Sequence, residues 1–227
     1  MRYVAFRLHS KSLLKAALLA TVFAAGAAVP VRADTVLDAT IRGNYTVFGT
    51  TAGLPGPAGS YVVGSAGGIV VRDYFVFDLS AITGTISAAT LSLDNPIIVG
   101  TPGTISFYTV SYSTPLVDGS AGLAGFNAIG TGTLVGSVAI TTTGTVNVTL
   151  NADGLAAITA AEGGNLVLGG VGAIAGSNDA FSSTGNSAYV TSLTLSTPTA
   201  AVPEPASLAV LGAGLVALGA LRRRRLG

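Results

Sequence analysis

Asp73-Tyr74-Phe75-Val76-Phe77-Asp78-Leu79 is the stretch on which the reading of the fold turns. Its side chains alternate: Phe75, Phe77 and Leu79 fall on one side, Tyr74, Val76 and Asp78 on the other. A period of two marks a β-strand with one buried face. The alternation recurs where Ala89, Leu91 and Leu93 interleave with Thr90, Ser92 and Asp94. It recurs again with Val146, Val148 and Leu150 against Thr145, Asn147 and Thr149, and with Leu193 and Leu195 against Ser192, Thr194 and Ser196.

Further runs rich in Val, Ile, Thr, Tyr and Phe lie near 36–48, 60–66, 104–113, 133–141 and 165–172, bounded by Gly, Pro, Asn and Ser. Roughly nine strands separated by turn signals predict an all-β domain, a two-sheet antiparallel sandwich or jelly roll. One segment breaks the pattern. Ala152 to Glu162 has Asn151 as an N-cap, Asp153 in the first turn, Gly163 just past the end, and Leu155, Ile158 and Thr159 at helical spacing. It predicts one short helix plugging an end of the sandwich. Gly49 to Gly59 and Gly119 to Gly132 read as Gly-rich loops, and no repeat of 20–50 residues is visible.

Both ends of the chain read as addresses. Residues 1–33 open with Arg2, Arg7, Lys11 and Lys15, continue as an apolar run from Ala16 to Val29, and close on Val31-Arg32-Ala33. That is the grammar of a secretory signal peptide, with cleavage by signal peptidase expected after Ala33. The run is too short to favour a permanent membrane span. The domain expected to remain, residues 34–197, is followed by a linker over 198–205 that carries Val202-Pro203-Glu204-Pro205. An apolar run over 206–221 comes next, and residues 222–227 begin with Arg222-Arg223-Arg224-Arg225. The prolines end any strand and hold the chain extended. A helix of this run covers about 24 Å, slightly short of a hydrocarbon core of ~30 Å. The arginines favour the cytoplasmic side, leaving everything upstream outside.

This arrangement resembles the PEP-CTERM sorting signal of Gram-negative bacteria: a Pro-Glu-Pro motif, an apolar transmembrane helix and an Arg cluster, in that order. The resemblance implies recognition by a membrane-embedded exosortase that cleaves near the motif, leaving the mature protein at the cell surface or in the extracellular matrix. The logic parallels a GPI signal, whose hydrophobic tail is also removed. Phe75-Val76-Phe77-Asp78-Leu79-Ser80, followed by Ile86-Ser87-Ala88-Ala89-Thr90-Leu91-Ser92-Leu93, is similar to paired core strands of β-sandwich modules found in such sorted proteins. Those proteins are associated with exopolysaccharide and biofilm, which makes exopolysaccharide an expected partner.

Composition narrows the chemistry. From Asp34 to Val202 the basic residues are Arg42 and Arg72 against nine acids, a formal charge of −7, although the whole chain carries +1. Nucleic-acid binding, which needs a basic footprint, is excluded. The same region holds no His, Lys, Cys or Trp. A nucleophile therefore lacks its usual partner base, and a zinc site lacks its usual ligands. Two carboxylates suffice for glycoside hydrolysis, but Asp73 and Asp78 stand an odd number of residues apart on one strand and so face opposite ways. The chain is expected not to be an enzyme and to hold no cofactor. Calcium needs only oxygen ligands, and Asp118 or the loop pair Asn178-Asp179 could offer them, without the dense Asp/Asn array of dedicated sites. Thr141, Thr142, Thr143 and Thr145 cluster locally without the repeating rank that an ice-binding face requires. The expected role is a structural or interaction protein of the cell surface or matrix. The alternative is a carbohydrate-binding module that uses Tyr61, Tyr74, Tyr108, Tyr112 and Tyr189, with Tyr108 and Tyr112 on one strand face.

Overall fold

Strand β4 (Ile69–Asp78), which contains all of the deciding stretch but Leu79, is the spine of a computed structural model. The structure describes residues 32–51, 55, 56, 59–66, 69–95, 98–100, 103–172, 178–180, 189 and 191–198. Of the C-terminal run it describes Gly212, Gly214, Leu215, Gly219, Arg222 and Arg223, all helical. The chain divides into two units, Arg32–Pro198 on the one hand and Met1–Val31 with Thr199–Gly227 on the other.

Within Arg32–Pro198 the remaining strands are β1 (Arg32–Asp38), β2 (Ile41–Thr46), β3 (Val63–Ala66), β5 (Ala88–Asn95), β6 (Ile98–Val99), β7 (Thr104–Val110), β8 (Leu134–Ala139), β9 (Gly144–Thr149), β10 (Asn165–Gly172), β11 (Asn178–Ala180) and β12 (Thr191–Pro198). They form two antiparallel sheets. One has the order β1-β12-β5-β9; the other runs β6-β11-β3-β4-β10-β7-β8, with β2 also paired to β4. Val71 has Thr46 and Gly64 as partners, so β2 and β3 lie on opposite edges of β4.

The two-sheet expectation holds. Phe75, Phe77, Leu166, Leu168 and Phe107 of the larger sheet share one buried cluster with Leu91, Leu93, Val148, Leu193 and Leu195 of the smaller. Each such side chain removed from water contributes about 1.5–3 kcal/mol, which makes this layer the main source of stability.

Three expectations are corrected. The strand read over 36–48 is two strands in different sheets: Ala39 N–H donates to Thr191 O at 2.8 Å and Thr40 N–H to Val76 O at 2.8 Å, so consecutive residues are tied to opposite layers. The strand β4 is buried on both faces. Tyr74 and Val76 form a second cluster with Tyr45, Val110, Leu116, Phe126, Ile129 and Val167. Covering that face are two helices, α1 (Thr114–Val117) and, inside the stretch 119–132 expected as loop, α2 (Gly122–Ala128). Among the described residues of Arg32–Pro198, the single helix expected there is therefore one of three. It is α3 (Ala152–Ala160), where Asn151 Oδ1 accepts from Gly154 N–H at 2.9 Å and Ile158 is fully buried in the main core.

Candidate functional site

Cross-strand pairing places a polar group inside the main layer. Arg42 and Asn44 on β2 stand opposite Phe75 and Asp73 on β4, so all four point between the sheets. Arg42, only 2% exposed, donates through Nη1 to Tyr189 O and, at 3.4 Å, to Thr191 Oγ1. Its guanidinium carbon lies 5.1 Å from the centre of the Tyr61 ring. Tyr61 donates its hydroxyl to Asp94 O at 2.6 Å and sets its ring edge-on to Phe75. Burial pushes the Tyr61 hydroxyl up to about 12, and the neighbouring Thr191 and Arg42 only partly offset that. Asn44 Nδ2 donates to Ser60 O at 3.0 Å.

Asp73 is fully buried, and neither carboxylate oxygen has a hydrogen-bond partner. Desolvation pushes its pKa up to about 7; the nearby N–H groups of Gly170 and of Asp73 itself pull it part of the way back without completing a bond. Around neutral pH the group therefore carries its proton in a large share of molecules. It fits only because Gly170 lies opposite on β10: a Cβ there would come within 2.1 Å of Asp73 Oδ1.

Asp78 is exposed on the other face, as the odd spacing requires, and Ser80 holds its carboxyl below the usual range through hydroxyl and backbone N–H bonds. A sealed acid and an exposed one on opposite sides of a strand make no reactive pair. The second arginine also serves the fold. Arg72 stacks on Phe126 at 4.2 Å and donates to Phe126 O at 3.0 Å and Ile129 O at 2.6 Å, capping the end of α2.

Of the two calcium candidates, Asn178-Asp179 is placed differently from expectation. Asp118 Oδ1 accepts from Ser120 N–H at 2.8 Å in a local turn. Asn178 and Asp179 belong to strand β11, not to a loop, because they pair with Ser65 and Gly64. Among the described residues no three His, Cys, Asp or Glu come together as metal ligands would.

The tyrosines do not form a platform. Tyr61 and Tyr74 are buried, Tyr108 and Tyr189 are half-buried, and Tyr112 lies beyond the end of β7 rather than on a shared face with Tyr108. Tyr112 is exposed, and its neighbours Ser111 and Ser113 line an open cleft of about 470 Å³ between α1 and α2. No ionisable residue lines it. On the outward face of the smaller sheet, register sets Thr194, Thr90 and Thr149 in one row and Ser192, Ser92 and Asn147 in the next. Strand-by-strand reading missed this row, which is a single threonine rank with no second beside it.

Ala33 lies in β1 opposite Thr197. Val202, Pro203, Glu204, Pro205, Arg224 and Arg225 lie outside the described residues, as do most of residues 1–33 and of the expected transmembrane run. Arg222 and Arg223 are helical and exposed. Among the described residues no helix is long and apolar enough to cross a membrane.

Fold and site together define a β-sandwich domain whose two arginines and one acid, Asp73, are taken up by its own architecture. The PEP-CTERM protein-sorting motif matches residues 201–225, so the chain ends in that signal. The signal marks an exported, membrane-anchored precursor that an exosortase, a membrane enzyme, processes on its way to the cell surface. No curated protein matches the chain.

Proposed function

We propose that the domain of residues 34–197 is a non-catalytic structural or interaction protein of a Gram-negative cell surface or extracellular matrix, associated with exopolysaccharide or biofilm. Signal peptidase removes residues 1–33, and exosortase removes the tail near Val202-Pro203-Glu204-Pro205. The observation that carries this reading is the sorting motif over 201–225. The absence of enzymatic activity is supported by the lack of His, Lys and Cys between Asp34 and Val202 and by the sealing of Asp73 inside the core. The full-length gene is expressed in its host, the surface and matrix fractions are collected, and the protein's location and intact mass are read. A truncated form in the matrix is expected; full-length protein confined to the inner membrane would refute the proposal.

Carbohydrate binding is a second reading, favoured by Tyr112 beside the serine-lined cleft. An exposed aromatic ring beside hydroxyls can stack on a sugar face while the hydroxyls bind its edge. Binding to purified matrix polysaccharide that Tyr112→Ala abolishes would establish it, and unchanged binding in that variant would remove the cleft from consideration.

A further inference from the structure

β1 is held to the sandwich mainly by its backbone. From Asp34 to Asp38, four of five side chains are exposed, Val36 to 61%, and only Leu37 packs against the main core. The strand it lies on is built differently. β12 buries Leu193 and Leu195 completely, and its other edge is paired to β5 from Thr191 to Ser196. β12 is thus a core strand whether or not β1 lies beside it, while β1 is a short terminal strand whose departure uncovers little apolar surface. With β1 gone, the outer edge of β12 presents a row of unpaired N–H and C=O groups, a template for another strand.

Register specifies which strand fits. Asp34 to Asp38 pair with Ser196 to Ser192, and Ser196 Oγ donates to Asp34 Oδ1 at 2.6 Å. The connection to the rest of the domain is the short Ala39-Thr40 link, and a short link of this kind is where a strand swings out in domain swapping. Chain order adds a kinetic reason. β1 is the first strand made and β12 the last, so each β1 waits for nearly the whole domain before its own partner exists, while partner edges on neighbouring copies compete.

We propose that β1 exchanges between copies: Asp34–Asp38 of one molecule lies on β12 of the next in the register seen within one chain. Such a contact is head-to-tail, and it builds an open string of domains unless the rotation closes a ring. The inference rests on the proposed function in one respect, that removal of residues 1–33 makes β1 the free N-terminal strand.

The chain has no cysteine, which makes the test clean. Val36 and Thr194 are direct partners on the outward face, at a separation that disulfides span. Full-length Val36→Cys and Thr194→Cys variants are co-expressed, the exported protein is oxidised mildly, and products are separated without reductant. The expected result is a covalent dimer that needs both variants and that neither forms alone. With both substitutions in one chain, a ladder of oligomers is expected. An intramolecular link alone in the double variant, with no dimer from the co-expressed pair, would overturn the proposal. No link of either kind would overturn it too, because the ladder it depends on would be absent. Intact mass of the same samples reports separately whether residues 1–33 were removed, so failure of export processing is not mistaken for failure of exchange.

Discussion

Asp73 is the residue at which the fold and its solvent conditions meet. Its pKa, about 7 in the folded protein, lies above the 3.8 of an exposed carboxyl. The folded state therefore binds the proton more tightly, and this stabilisation is fully present below the unfolded value. It is lost as pH rises from about 4 through 7, a change of order 4 kcal/mol at ~1.4 kcal/mol per unit. Asp78 and Asp118 have the opposite sign: their lowered pKa values add stability above the unfolded value that disappears as pH falls. Thermal melts across pH 4–8 should show Asp73→Asn losing the neutral-side decline and melting above the wild type at pH 8. A wild-type curve that rises towards pH 8 would contradict the buried acid. Gly170→Ala meets the same contact from the other strand. The new methyl clashes with Asp73 Oδ1 and should destabilise by about 3 kcal/mol, read by urea denaturation. Pairing it with Asp73→Ala should recover most of that loss, since the two side chains compete for one volume.

Among the elements, legibility followed how locally each was determined. α3 could be read from Asn151, Asp153 and Gly163 because its start and stop are local chemistry, and Asn151→Ala should cost about 1 kcal/mol through the lost bond to Gly154. The Phe75, Phe77, Leu79 face was legible for the same kind of reason: strand period needs no partner to be seen. α2 was not legible. Its sequence, Gly-Leu-Ala-Gly-Phe-Asn-Ala, is poor in helix formers at two positions, and Ala121 gives no side-chain cap. The helix exists because Phe126 packs into the second cluster, Gly125 leaves room for the Tyr45 ring, and Arg72 caps its end from β4. All three are contacts between distant parts of the chain. Arg72→Ala should therefore lower stability by about 2 kcal/mol and strip α2 of amide-exchange protection while α3 keeps its own. Equal loss in both helices would mean that Arg72 supports the domain generally. The break at Ala39-Thr40 escaped notice because both residues suit a strand; only their bonds to Thr191 and Val76 divide them between sheets.

At the scale of the whole molecule, the domain's first and last strands are neighbours, with Arg32 opposite Pro198. The matched sorting motif begins at residue 201, just after β12 ends at Pro198. The address was readable residue by residue because Pro-Glu-Pro, an apolar run and four arginines act in sequence order and need no fold. The domain's molecular role was not, since its acids, arginines and tyrosines acquire meaning only from what covers them. Central to the account is an exported domain delivered without either end. Its most direct test is the intact mass of the protein recovered from the native surface or matrix, compared between the wild-type host and one lacking the exosortase. The account predicts a chain that begins at Asp34 and ends near Val202-Pro203-Glu204-Pro205 in the wild type, with the tail retained when the enzyme is absent. A major species that still carries Arg222 to Gly227 in the wild-type host, or a truncation that persists without the exosortase, would contradict it.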